Sequence, residues 1–221
     1  MPRPKPAVPA APLKGSDPSR LFQRIPGGER LALAVSGGSD SMALLRLVAA
    51  WRNERYVTVL TVDHGLRPDS AKEALQVSAW CMGLGLPHVT LAWQGPKPAT
   101  GLQVKARAVR YDLMTDWCRA HGVAWLLTAH TMDDQAETVL MRLVRTTSFD
   151  SLSGIPEMGE WKGIGLFRPL LGERREGLRA FLNHLGQPWI DDPSNADERF
   201  ERVRIRKALP MLAELSSNRT G

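Results

Sequence analysis

Four short apolar runs, at Leu31–Val35, Val57–Val62, His88–Trp93 and Ala124–Ala129, alternate with longer segments whose apolar residues recur at helical spacing. That spacing predicts helices over Ser39–Trp51, Asp69–Leu84, Gly101–His121 and Asp133–Arg145. Strands alternating with helices make βαβ units, which cross over right-handed onto a parallel sheet almost without exception. The expected fold class is therefore α/β: a doubly wound, Rossmann-like, mostly parallel sheet of about five strands with helices on both faces. Its ligand crevice falls at the carboxyl ends of the strands. From about Phe149 the pattern weakens into a loop or hairpin, SLSGIPEMGEWKGIGLF, followed by predicted helices at Glu173–Leu185 and Asp197–Leu212.

Three units are expected along the 221 residues. Residues 1–18 read as a disordered basic Pro/Ala-rich tail, 19–148 as the α/β domain, and 149–221 as a loop plus a small helical extension. A formal charge of +6 tilts the chain toward a polyanionic partner. Cys81 and Cys118 are the two cysteines, far apart and in no C-x-x-C pattern, so neither a disulfide framework nor a metal cluster is suggested. No apolar run approaches the roughly 20 residues that span a bilayer, and prolines interrupt the N-terminus where a secretory signal would need continuity. A cytoplasmic protein without membrane contact is the expectation.

Polar clusters follow three of the four strands: SGGSDS after the first, DHGLRP after the second and AHTMDDQAET after the fourth. All three fall on one edge of the sheet. In SGGSDS the glycines Gly37 and Gly38 let the backbone turn sharply, so that consecutive amides and the positive end of the next helix form an anion site. Ser36, Ser39 and Ser41 add hydroxyl donors. Asp40 would repel a phosphate unless a cation such as Mg²⁺ lay between them. No lysine follows the glycines, so the segment is neither a Walker A loop nor G-x-G-x-x-G, and it suits a departing pyrophosphate better than γ-phosphoryl transfer.

SGGSDS after a first strand resembles the loop of the N-type ATP pyrophosphatases, which activate a carbonyl-like oxygen by adenylation. VDHGLRPDS at 62–70, ARAVRY at 106–111, TAHTMDDQAETVLMRLVR at 128–145, RPLL at 168–171 and WIDDPSNADERFERVRIRKALPML at 189–212 narrow that resemblance. In this order they are similar to the tRNA(Ile)-lysidine synthetase family, over roughly residues 20–212. The resemblance implies a ligase that joins lysine to C2 of the wobble cytidine, position 34, of a CAU-anticodon tRNA(Ile), using ATP and releasing AMP and pyrophosphate. It also implies ATP on Ser36, Gly37, Gly38, Ser39, Asp40 and Ser41, with Asp63 and His64 at the nucleotide pocket and Mg²⁺ near Asp40.

A cytidine C2 oxygen leaves poorly until it is adenylated, and an incoming amine must then be held and deprotonated, which calls for carboxylates in reach. Asp133, Asp134 and Glu137 supply them within about one helical turn, beside His130. The same carboxylates also suit the first turn of a helix, and His130 is equally a packing histidine. Arg107, Arg110, Arg142, Arg145, Arg202 and Arg206 are expected to bind tRNA phosphates, although each one alone also fits a solvated helix face. Asp191, Asp192 and Asn195 are expected to build an Asx turn capping the last helix, while Trp51, Trp80, Trp93 and Trp117 read as core.

Against the family pattern, Thr131 stands where a second histidine is common, Thr146-Thr147-Ser148 replace a Gly-rich turn, and Val203 replaces an asparagine. Many members carry further C-terminal tRNA-binding regions. Two other functions remain open: tRNA 2-thiolation, which generally needs cysteine pairs, and an ATP-binding module without catalysis. The oligomeric state is also open, a homodimer included.

Overall fold

The computed structural model describes residues 18–25, 30–52, 55–98, 100–145, 153–192, 197–199 and 201–217. Element order is α1 (Pro18–Phe22), β1 (Arg30–Ala34), α2 (Ser39–Trp51), β2 (Tyr56–Asp63), α3 (Ser70–Gly83), β3 (His88–Ala92) and α4 (Leu102–Ala120). Then follow β4 (Trp125–Leu127), α5 (Met132–Arg145), β5 (Met158–Trp161), β6 (Ile164–Phe167), α6 (Arg175–His184) and α7 (Glu201–Ser217). The tail expected over 1–18 lies outside the described residues except for Pro18, which opens α1.

Six strands form one sheet in the order β3-β2-β1-β4-β6-β5, parallel throughout except where β5 pairs antiparallel with β6. Residues 158–167 thus contribute a hairpin to the sheet edge. The boundary expected between 148 and 149 falls among the undescribed residues 146–152. From β1 the chain runs outward to β2 and β3 on one side and to β4 on the other, so the strand order reverses between β1 and β4. At such a switch point the loops leaving the two strands diverge to opposite faces and leave a crevice between them. SGGSDS leaves β1 and AHTMDD leaves β4.

Strand periodicity sorts the core into two layers. Leu31, Leu33 and Val35 point to a face covered by α2, α3 and α6, with Leu47, Val77, Leu178 and Phe181 buried there. Ala32 and Leu60 point to the opposite face, where α4 supplies Tyr111, Met114 and Cys118. α2 buries nearly its whole length, because α1 and α6 pack on its far side; Phe22 stacks on Trp51 with ring centroids 4.5 Å apart. Of the four tryptophans read as core, Trp51 and Trp80 pack against the first layer and Trp117 against the second, while Trp93 is buried outside both, against His64 and Lys97.

Gly165 shows why one glycine stands in β6: a Cβ there would lie 2.5 Å from the ring of Trp125 on the paired strand β4. Among the described residues no helix is long and apolar enough to cross a membrane.

Candidate functional site

The turn after β1 is held by its own hydroxyls. Ser41 Oγ donates to the Gly38 carbonyl at 2.9 Å and accepts from the Ser36 amide at 3.2 Å, fixing the curl of the loop on the first turn of α2. Gly37 takes φ +90°, and its carbonyl accepts the Ile190 amide at 2.9 Å, so the WIDD segment lies along the loop. The first amides of α2 have no partners within the helix and carry the positive end of its dipole. They open onto a cavity of about 580 Å³, a volume that suits a nucleotide-sized ligand. Ser36, Gly38, Ser39, Asp40 and Ser41 line it, as do His64, Arg110, Tyr111, His130, Arg175 and Arg206.

The turn between β4 and α5 lines the same cavity through Thr128, Ala129 and His130, and α5 starts directly behind it. Thr131 caps the helix: the Thr131 amide and hydroxyl donate to Asp134 Oδ2 at 2.9 and 3.0 Å, and the Asp134 amide points back to the Thr131 hydroxyl at 3.4 Å. This is a reciprocal capping box, and it gives a local physical reason for the threonine that departs from the family's second histidine. Asp133 points elsewhere, accepting the backbone amide of Arg175 at 2.8 Å and so satisfying an orphan donor in the first turn of α6.

Glu137, fully buried, is the centre of an ionic cluster that sequence reasoning missed. Arg202 Nε donates to its Oε2 at 2.5 Å, while Arg206 Nε and Arg175 Nη1 donate to Oε1 at 2.7 and 3.4 Å. Arg175 also reaches Asp134 at 3.3 Å and Asp40 at 2.9 Å, and Arg202 reaches Asp134 at 3.2 Å. Three guanidiniums from α6 and α7 thereby meet three carboxylates from α2 and α5. Burial opposes the charge on Arg175, yet Asp40, Asp134 and Glu137 outweigh it and raise its pKa. Burial likewise opposes ionisation of Asp134, but the Thr131 amide with Arg202 and Arg175 holds its carboxyl below the usual range.

The six arginines expected to share one phosphate-binding surface are dispersed. Arg202 and Arg206 turn inward onto Glu137. Arg107 and Arg110 lie over the Tyr111 ring, 5.1 and 5.6 Å from its centroid. Arg142 donates to the Ser153 carbonyl and Arg145 pairs with Glu201, both at the far end of α5. Asp63 spends one oxygen on the Gly65 amide at 2.8 Å in a tight turn, while His64 meets Trp93 edge-on at 6.0 Å and leaves its buried Nδ1 without a partner.

Asp40, the expected magnesium ligand, has Oδ2 on Arg175 and accepts the Ser39 hydroxyl on Oδ1 at 3.2 Å. Among the described residues no three carboxylate, histidine or cysteine side chains gather as a metal cage. With Arg175 on Asp40, the repulsion that this carboxylate would exert on a phosphate is offset by an arginine of the protein itself.

The last helix begins at Glu201 rather than at the expected Asp197, because the Asp197 carboxylate is bound to the Arg199 amide and guanidinium in a turn of its own. Asp191 accepts from Trp189 Nε1 and Asp192 pairs with Arg67, while the turn expected of them with Asn195 runs through residues outside the described ones. Asn195 and Thr146-Thr147-Ser148 lie outside the described residues.

His130 Nδ1 lies 3.0 Å from the Thr128 hydroxyl. Burial pushes its pKa down to about 3, with Arg107, Arg168 and Arg110 adding to the effect and Asp134 opposing it. The unfolded chain, with an ordinary histidine near 6.5, binds more protons than the native one between those two values. Stability from this group is therefore present above pH 6.5 and lost as the pH falls toward 3. His130→Asn should flatten the rise of unfolding free energy with pH between about 5 and 6.5; urea titrations at several pH values giving parallel curves for both proteins would contradict this.

A glycine-serine turn between the first strand and a buried helix, opening on a nucleotide-sized crevice at the switch point, defines a phosphate-handling α/β domain. The family model described as PP-loop domain matches residues 17–212, and the chain belongs to that family. Among curated proteins it is similar to the tRNA(Ile)-lysidine synthases of Bradyrhizobium diazoefficiens (45% identity over 92% of this chain and 57% of that protein) and Ruegeria pomeroyi (48% over 84% and 45%). A third, from Methylobacterium nodulans, is 50% identical over 83% of this chain and 54% of its own length. The chain spans about half the length of the curated relatives it matches.

Solved structures share the fold at low identity. The U34-tRNA thiolase NcsA from Methanococcus maripaludis superposes with a TM-score of 0.75 at 14% identity, covering 92% of this chain and 73% of that one. NMN synthetase from Francisella tularensis superposes at 0.54 and 14%, covering 88% and 87%.

Proposed function

We propose that the chain carries out the ATP-dependent chemistry of a tRNA(Ile)-lysidine synthase, joining lysine to C2 of cytidine 34 in a CAU-anticodon tRNA(Ile) and so changing decoding from AUG to AUA. The cytidine C2 oxygen attacks the α-phosphorus of ATP, and the bond to the bridging oxygen breaks with its electrons leaving on pyrophosphate. The ε-amine of lysine then attacks C2, the C2–O bond breaks, AMP departs with that oxygen, and the nitrogen gives up a proton. The observation that carries this reading is convergence: the phosphate loop after β1 and the His130 turn after β4 open on one cavity, and Arg175 and Arg206 in its wall bond the carboxylates of α5 directly behind them.

In this reading the loop from Ser36 to Ser41 holds the phosphates. Magnesium belongs to the reaction only with the ATP substrate, since Asp40 is already bound to Arg175. The lysine ammonium reaches Asp134 and Glu137 by replacing Arg202 or Arg206, whose side chains are 35% exposed against 16% for Arg175. Exchanging one cation for another leaves the buried carboxylates neutralised throughout. His130, held neutral by burial, orients the amine without competing for the carboxylates. Arg107 and Arg110, together with the basic balance of the chain, receive tRNA phosphates.

The test incubates the protein with ATP, lysine and unmodified CAU-anticodon tRNA and follows AMP release and labelled-lysine incorporation. Both should require all three substrates, and turnover independent of lysine or of tRNA contradicts the reading. Thiolation is disfavoured by the two cysteines: each is buried, one in each core layer, with its thiol pushed up to about 12 by burial. Neither is placed to hold a cluster or carry sulfur.

A further inference from the structure

The phosphate loop has no lysine, yet a pyrophosphate leaving it gains negative charge as the bond to the α-phosphorus breaks, and a cation positioned there would stabilise that charge. Five arginines and no lysine line the cavity. Arg67 is spent on Glu73 and Asp192, at 2.7 and 3.2 Å, and Arg206 on Glu137. Arg110 lies over Tyr111. The remaining two, Arg175 and Arg179, are the ones that touch the loop itself.

They sit at i and i+4 of α6 and so project from one face, one turn apart. Arg175 donates to Asp40 at 2.9 Å and Arg179 donates through Nε to the Ser39 hydroxyl at 3.4 Å. Their situations differ. Arg175 is tied to three carboxylates, its backbone amide is held by Asp133, and α6 packs along α2 with Leu178 and Leu182 fully buried. Arg179 is exposed and forms no ion pair among the described residues, so its charge stands uncompensated beside the positive end of α2. A protein gains nothing by placing two positive features together on its own; an anionic ligand between them accounts for both.

We propose that Arg179 is the cation the loop lacks: it contacts the β- and γ-phosphates of ATP and the departing pyrophosphate, and Arg175 is the positioning residue that fixes α6 so that Arg179 overhangs Ser39. The assignment rests on the adenylation reaction proposed above. Arg175 completes the arrangement by neutralising Asp40, which would otherwise face the same phosphates.

Calorimetry on the full chain with pyrophosphate, ATP and AMP tests it. Arg179→Gln should weaken pyrophosphate and ATP at least tenfold while leaving AMP, which lacks the outer phosphates, within twofold of wild type. Arg179→Lys should recover part of the loss. Because Arg179 is exposed and makes a single long hydrogen bond, a thermal melt should show both variants folded; the lysine variant keeps the comparison valid if the glutamine variant does not fold. Unchanged pyrophosphate affinity in Arg179→Gln, or an equal loss for AMP, overturns the assignment. Arg179-dependent pyrophosphate binding in a protein that releases no AMP with lysine and tRNA would instead sink the reaction and keep the assignment, so the two failures are separable.

Discussion

Glu137→Gln should lower the unfolding free energy by about 3–5 kcal/mol, the range expected when one partner is removed from a buried ion cluster. For a chain of this size that corresponds to a fall in melting temperature of roughly 6–20 °C. Glutamine keeps the shape of the side chain but removes its charge and turns an NH₂ toward guanidiniums that can only donate. Arg202, Arg206 and Arg175 all converge on this one carboxylate, which has no exposed surface through which water could replace it. The two helices in contact there, α5 and α7, should separate first, because Glu137 is the buried residue of α5 and two of its three partners belong to α7. Protease cutting within 201–209 should therefore accelerate before global unfolding. An exposed pair such as Asp197 with Arg199, broken in the same way, should leave the melting temperature almost unmoved. A glutamine variant that melts with wild type would mean that the cluster is a binding site maintained at no structural cost, and would favour ready exchange of its arginines for an incoming amine.

That cluster also marks where sequence reasoning ran out. α2 could be predicted at both ends, Ser39 and Trp51, because its signals are local: a glycine turn, a serine-rich first turn and an unbroken apolar helix. The edge carrying the polar clusters followed from the strand–helix alternation, because every strand of a parallel sheet ends on the same edge; the order β3-β2-β1-β4-β6-β5 rests on pairings that no local pattern records. The hairpin of β5 and β6 was harder, since four-residue strands leave too few positions for a period to show. Arg175, Arg202 and Arg206 were the hardest. Arg202 and Arg206 lie 65 and 69 residues beyond Glu137, and an arginine on a helix surface carries the same pattern whether it faces water or a buried carboxylate. The one local trace was Glu137 itself, a charge on a helix whose other polar residues reach the surface or the rim. Thr131 shows the reverse case. Its role was written in the T-M-D-D spacing, as a cap with a carboxylate three residues on, and comparison with the family's histidine obscured a signal that capping chemistry makes plain.

The two glycines of the loop should separate under the same substitution. Gly37 holds φ +90°, where an L-residue is strained by about 1–3 kcal/mol. A Cβ there would also lie 2.6 Å from Ile190 Cδ1 and 3.1 Å from Val77 Cγ2. The isoleucine tip can rotate away, but the valine is stiff at χ1 and sits on α3 in the core, so the loop itself must move. Gly37→Ala should therefore lose stability in urea titrations and weaken ATP by more than tenfold, because the displaced backbone also breaks the Ile190 amide contact that seats WIDD on the loop. Gly38 is different: it has φ −68° in extended geometry at the helix N-cap, and its added Cβ would meet only Ser36 Oγ at an ordinary 3.6 Å. Gly38→Ala should cost at most about 1 kcal/mol of stability, yet it sets a methyl group on the cavity wall where a phosphate needs the bare backbone. Its expected signature is weakened ATP binding at nearly wild-type stability. Equal stability losses at both positions would show that the second glycine also serves the fold, whereas a loss of ATP binding alone at Gly38 identifies it as the position reserved for the ligand.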